Sequence, residues 1–83
     1  MSLWFNRIAA VVANCLCRHG DEVQLEWGLY RTRGWDSFAH LEIIKSLEEN
    51  YSVSIPDAEL ESLTTVSALV SYLDRVQTSK EQP

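Results

Sequence analysis

The chain is expected to be all-α, a small four-helix bundle with three long helices, one short helix and a long first connection. Three observations carry that expectation. Apolar residues recur every three to four positions in three separate stretches, which is the mark of amphipathic helices. No stretch shows the two-residue alternation of a half-buried strand, and no internal repeat or linker is evident. Finally, 83 residues, 46% of them apolar, suffice for one small core and no more, so residues 1–83 are taken as a single domain.

The first helix is expected over Ser2 to Cys17, with Phe5, Ile8, Val12, Cys15 and Leu16 as its buried stripe and Trp4 and Val11 widening it. An apolar N-terminus raises the question of a secretion signal. The single charge Arg7, the interruptions at Asn6 and Asn14 and the lack of a clean small-x-small site argue against one. The run is also too short and too broken to span a membrane. Arg18 and His19 follow, with Gly20 expected as the left-handed stop. Glu22 to Trp35 then has no period. Loops this long are usually functional or tied down by their own apolar residues, here Leu25, Trp27, Leu29 and Tyr30.

Gly34 breaks that loop, and Asp36 or Ser37 can cap the helix that follows. Phe38, Leu41, Ile44, Leu47 and Tyr51 are its expected buried face, with Glu42, Glu48 and Glu49 on the solvated side. After a short connection, Pro56 suits the first turn of a third helix of at most two turns, packed through Leu60 and Leu63. Thr64 or Thr65 then caps the last helix, whose Val66, Leu69, Val70, Leu73 and Val76 keep a helical period. Residues 78–83 are expected to be a frayed polar tail.

Charge and cysteine usage narrow the function classes. The formal net charge is -5. From Met1 to Trp35, four Arg face three acidic residues, whereas Asp36 to Leu63 holds seven acidic residues and only Lys45. Such a surface repels a phosphate backbone, so nucleic acid is not an expected partner. Cys15 and Cys17 point about 200° apart around a helix, so they cannot pair with each other or chelate as a unit. His19 and His40 lie in different elements, and no metal spacing results. One core thiol and one partly exposed thiol in a reducing compartment are expected.

Nothing in the chain reads as catalytic. Ser37 stands at a helix N-terminus beside a loop, with His40 three residues on, but no orienting acid or oxyanion loop accompanies them. With three glycines in all, a Gly-rich phosphate cradle could hardly be built. On its own, Ser37 is an ordinary capping serine.

The stretch Asp36-Ser37-Phe38 followed by Leu41-Glu42 resembles the Asp-Ser-Leu attachment motif of acyl carrier proteins. The resemblance continues in order through Leu47-Glu48-Glu49-Asn50-Tyr51, Ile55-Pro56-Asp57, Leu63-Thr64-Thr65-Val66 and Tyr72-Leu73. About half of the chain, Trp35 to Leu73, aligns without a gap. The resemblance implies a bundle of the acyl-carrier type. It implies 4'-phosphopantetheine joined to Ser37 from coenzyme A, with Asp36 its neighbour in the motif. It also implies acyl or aminoacyl groups carried as thioesters, in fatty acid, polyketide or related synthesis. The partners would be a phosphopantetheinyl transferase and the ligase or synthase enzymes that load and use the carrier. Docking would fall on Glu42, Lys45, Glu48 and Glu49 of the acidic helix.

Four positions depart from the family in charge. Arg31 and Arg33 precede the motif where acidic residues are usual, Ala39 replaces a commonly acidic residue, and Lys45 a commonly apolar one. All bear on partner choice. The resulting expectation is a monomeric, cytoplasmic carrier without enzyme activity, metal or membrane contact. The alternative is a carrier-like helical module that is never modified and only binds partners.

Overall fold

The computed structural model describes the backbone of residues 3–81 and the side chains of residues 3–76. It is all-helical: α1 (Leu3–Leu16), a 3-10 turn at Gly20–Glu22, α2 (Ser37–Tyr51), a second 3-10 turn at Asp57–Glu59, and α3 (Val66–Glu81). The short helix is therefore a single 3-10 turn. Helical backbone continues through Glu81, into the stretch expected as a frayed tail, and Gln82 and Pro83 lie outside the described residues.

α1 is the central helix. It packs against both α2 and α3. A helix with two neighbours needs a wide apolar face, and α1 buries Trp4, Ile8, Val11 and Val12 together with the small Ala9 and Ala13. Phe5, Cys15 and Leu16 are only partly buried at its margins. The N-terminal end is pinned by an aromatic corner: Trp4 meets Tyr51 edge-on at 5.5 Å, and the Arg7 guanidinium lies 4.8 Å and 5.1 Å from their ring centroids.

The helix ends differ from expectation. Cys17, not Gly20, takes the left-handed conformation (φ 56°), and Arg18 N–H reaches back to the Ala13 carbonyl at 2.8 Å. This is the 6→1 bond of a Schellman stop. Ser52 (φ 53°) plays the left-handed part at the end of α2. Neither residue advertises that conformation as Gly or Asn would. The capping expectations resolve cleanly: Asp36 Oδ1 accepts from Ala39 N at 2.9 Å, and Thr65 Oγ1 accepts from Ala68 N at 3.1 Å.

The buried face of α2 is Ala39, His40, Ile43, Ile44 and Leu47, so the expected stripe was displaced at its start. Phe38 is 70% exposed and Leu41 is exposed too. α2 carries two overlapping apolar stripes. Counting His40 as polar and Ala39 as neutral selects the outward one.

The long loop is tied down by two of the four expected residues, Trp27 and Leu29, together with Val23 and Trp35. Val23 and Trp35 are buried, Trp27 and Leu29 partly so, and Leu25 and Tyr30 point to solvent. Its middle is anchored on the start of α3 by backbone bonds from Leu29 N to Thr64 O (2.7 Å) and from Val66 N to Trp27 O (2.9 Å). These flank an isolated bridge between Gly28 and Thr65. Segment 53–63 fills the space between α2 and α3 through Val53, Ile55 and Leu63.

Most acidic residues of α2 and the following turn are exposed: Asp36, Glu42, Glu49, Asp57 and Glu61. Their mutual repulsion opposes folding and is screened by salt. Among the described residues, no group of three or more acidic, His or Cys side chains could hold a metal ion. Raising ionic strength should therefore raise the melting temperature, by several degrees if about 1 kcal/mol of repulsion is relieved. Sodium and magnesium at equal ionic strength should act alike in a thermal melt. A flat response to both would sink the repulsion account.

Candidate functional site

Ser37 opens α2 and is exposed. Its position is set by the three residues before it. Gly34 adopts φ 89°, a left-handed conformation that suits glycine, and so turns the loop toward the helix. Trp35 is the largest fully buried side chain, 1% exposed. Its backbone is held on both sides, with Trp35 N donating to Thr32 O (3.0 Å) and Tyr30 N donating to Trp35 O (2.8 Å). Its indole Nε1–H donates to His40 Nδ1 at 3.0 Å. Asp36 then supplies the cap. The serine hydroxyl thus stands on the solvent side of a rigid corner, while the first-turn N–H groups of Ser37 and Phe38 have no intrahelical partner.

Beside Ser37 lies an open cavity of about 370 Å³, between the start of α2 and residues 60–64. Leu29, Leu41 and Leu60 form apolar walls, and Ser37, Glu61 and Thr64 bring polar groups to it. A second cavity of about 330 Å³ shares Leu41 and Leu60 and extends past Ile44 to Lys45, Glu48 and Ile55. The two form a groove along α2 because segment 53–63, and not a long helix, covers that flank.

His40 was weighed at the sequence level only as a possible base and is instead a structural neighbour of the site. It is 5% exposed and lines the first cavity. Because Trp35 donates to Nδ1, the neutral ring carries its proton on Nε2. That nitrogen is buried, and the acceptor it faces is the Leu60 backbone, just outside full hydrogen-bond geometry. Burial holds the His40 pKa below the ordinary histidine value, and the Leu60 backbone offsets this only in part.

The sign of the resulting pH dependence follows from linkage. The unfolded chain takes up a proton near pH 6.5 that the folded ring resists, so this contribution is fully present above that pH. It is lost as pH falls through 6.5 toward the lower folded value. Thermal melts at constant ionic strength should show stability declining between about pH 7.5 and 5.5. A His40→Gln variant, less stable at neutral pH, should show a shallower decline. Parallel pH curves for the two proteins would refute the assignment.

The four candidate docking residues differ in exposure. Glu42, Lys45 and Glu49 are exposed. Glu48 is half-buried, and its Oε2 accepts the backbone N–H of Ile55 at 2.8 Å, so it ties segment 53–63 to α2. Lys45 and Glu48 line the second cavity, whereas Glu42 lies toward α1. There, burial first and the Glu42 charge second push the Cys15 thiol pKa up, against a Ser46 hydrogen bond. Cys17 is exposed. Arg31 and Arg33 are exposed on the loop that closes on Trp35.

Sequence comparison places this geometry among known proteins. The family model described as "Phosphopantetheine attachment site" matches residues 6–73. The acyl carrier protein of Campylobacter jejuni subsp. doylei is 36% identical over 73 residues, covering 88% of this chain and 95% of that protein. The acyl carrier protein of Campylobacter fetus subsp. fetus is 36% identical over 70 residues, covering 84% and 91%. That of Akkermansia muciniphila is 28% identical over 71 residues, covering 86% and 89%. An exposed serine on a rigid helix start, within a match spanning most of both chains, leaves one conclusion: the chain belongs to the phosphopantetheine-attachment family of acyl carrier proteins.

Proposed function

We propose that Ser37 is the attachment residue for 4'-phosphopantetheine. The observation that carries this is the division of labour at the start of α2, where Asp36 is occupied as the cap and Ser37 is left exposed. The residues fit the group. The hydroxyl is accessible to a transferase, and the free first-turn N–H groups and helix dipole favour a phosphodiester there. In attachment, the Ser37 oxygen bonds to the phosphorus that coenzyme A presents, the hydroxyl proton is lost, and the adenosine bisphosphate portion leaves. Once attached, the arm offers a terminal thiol that holds an acyl group as a thioester.

The chain is a carrier of such groups and not a catalyst, and its partners are a phosphopantetheinyl transferase and acyl-handling enzymes. What its own residues contribute is presentation: a fixed anchor, an adjoining groove, and a surface that partners can read. We assign that surface to exposed Phe38 and Leu41, with Glu42, Lys45 and Glu49 around them and Arg31 and Arg33 on the loop side. Glu48 contributes through the backbone it holds. Tethering a cargo raises its effective concentration at a docked enzyme. No helix among the described residues is long and apolar enough to cross a membrane. We read the carrier as a monomer working in the cytoplasm, on fatty acyl, polyketide or aminoacyl intermediates.

Intact mass spectrometry after incubation with coenzyme A and a broad-specificity transferase tests the assignment. The wild type should gain one phosphopantetheine and Ser37→Ala none. No gain with several transferases would point instead to an unmodified interaction module, and a gain in both proteins would place the anchor elsewhere.

A further inference from the structure

Residues 28–35 form a closed loop in front of Ser37. Arg31 N and Thr32 N both donate to Gly28 O, at 3.1 Å and 3.0 Å, and Gly28 N donates back to Thr32 Oγ1 at 3.0 Å. Tyr30 N donates at 2.8 Å to the carbonyl of Trp35, which lies just before the Asp36-Ser37 corner. The tip held in this way is Tyr30-Arg31-Thr32-Arg33. Tyr30 adopts φ 62°, a conformation that bulky residues rarely take, and its side chain is 74% exposed. A left-handed tyrosine that buries so little costs the fold more than a glycine would. Arg31 and Arg33 are exposed beside it, and no acidic residue occurs between Trp27 and Trp35. Arg7 and Arg18, by contrast, lie over aromatic rings of the chain itself. Tyrosine and arginine are the residue types enriched where proteins bind one another. Because the loop is already ordered, docking on it costs little further entropy.

We propose that the Tyr30–Arg33 loop is a docking element in its own right, and that it fits a phosphopantetheinyl transferase with carboxylates around a shallow apolar recess. This deepens the carrier reading and rests on it: an enzyme that reaches Ser37 meets the loop that closes on Trp35. The two flanks of the anchor are opposite in charge, with Arg31 and Arg33 on the loop and Glu42 and Glu49 on α2. The fitting enzyme is therefore acidic toward the loop and basic toward the helix. A uniformly basic docking face is disfavoured in spite of the net charge of -5. Exposed Asp36, Glu42 and Glu49 also make an anionic lipid surface the poorer occupant.

The test is a double-mutant cycle on equilibrium binding, read by isothermal titration calorimetry without coenzyme A, with loading followed separately by intact mass. The probe is a broad-specificity transferase with carboxylates on the rim of its coenzyme A cleft, used as such and with those carboxylates changed to amides. Arg31→Gln/Arg33→Gln and the amide transferase should each weaken binding about tenfold, and together no more than either alone. Added salt should shrink the advantage of the unaltered pair. Tyr30→Gly should also weaken binding, by about tenfold, while melting no lower than the wild type, a separation that a purely structural tyrosine would not give. Additive losses, or no loss from the arginine changes, overturn the proposal whether or not Ser37 loads. Coupled binding without any mass gain leaves the loop standing and the carrier reading fallen. Suppose instead that self-association, or retention on phosphatidylglycerol vesicles, disappears with the two arginines while transferase binding is unchanged. The loop then belongs to a second copy or to a lipid surface, and the proposal is overturned.

Discussion

Ser37→Ala should abolish phosphopantetheine loading while leaving the melting temperature essentially unchanged, and Asp36→Ala should do nearly the reverse. The contrast follows from the start of α2. Ser37 is exposed and is not the cap. Alanine is the better helix former, so its substitution stays within about 0.5 kcal/mol of neutral. Asp36 accepts the Ala39 N–H at 2.9 Å, and losing such a cap costs about 1 kcal/mol, or roughly 4–8 °C in a domain of this size. Because Asp36→Ala keeps the hydroxyl, it should still gain the arm on long incubation, more slowly if the transferase reads the carboxylate. Thermal melts and intact masses on the two variants check both halves. A Ser37→Ala protein that melts well below the wild type would mean that the serine is structural, and its failure to load would then be uninformative about chemistry.

The elements were legible because each long helix repeats its apolar residues at a strong period, and α2 and α3 begin at residues suited to capping. Face assignment was less secure. On α2 the outward stripe, Phe38 and Leu41, is more apolar than the inward Ala39 and His40, so hydropathy alone selected the wrong edge. The inward choice depends on α1 and Trp35 being there to receive those residues, which is a tertiary fact. The helix stops at Cys17 and Ser52 were unreadable for a related reason. At Cys17 the left-handed backbone goes with the Schellman closure, and nothing in a Cys or Ser side chain announces such a conformation.

The site divides in the same way. Asp36-Ser37 was found from motif and spacing, and Gly34 from its ability to break the loop. The parts that position the serine were not found. Trp35 stood only as the residue before the motif, and His40 as an incomplete catalytic residue. Their hydrogen bond spans five positions, a separation with no signature on a helix face because Trp35 lies before the helix begins. Glu48 illustrates the opposite error. A glutamate on an acidic helix reads as solvated, yet this one satisfies the Ile55 N–H, a donor whose need became visible only with the path of segment 53–63.

Gly28→Ala should be among the most destabilising single-methyl additions in this domain, at about 3 kcal/mol, equivalent to a fall in melting temperature on the order of 15 °C. The glycine looks unremarkable in sequence and needs no positive φ. Its role is close approach: a Cβ there would collide with the Thr64 carbonyl oxygen and would come within 2.9 Å of Thr65 Cγ2. Backbone cannot yield as the end of a flexible side chain can, so the loop must lift. Lifting it strains or breaks the bonds from Leu29 N to Thr64 O and from Val66 N to Trp27 O, each worth about 1 kcal/mol. Gly20 provides the control, since a Cβ there would meet nothing within 4 Å and Gly20→Ala should be nearly silent. Leu29 is a wall of the cavity beside Ser37, so the lifted loop also opens that wall. Equal melting temperatures for Gly28→Ala and Gly20→Ala would show that the loop can leave α3 freely, and that the wall beside Ser37 is not fixed by this anchor.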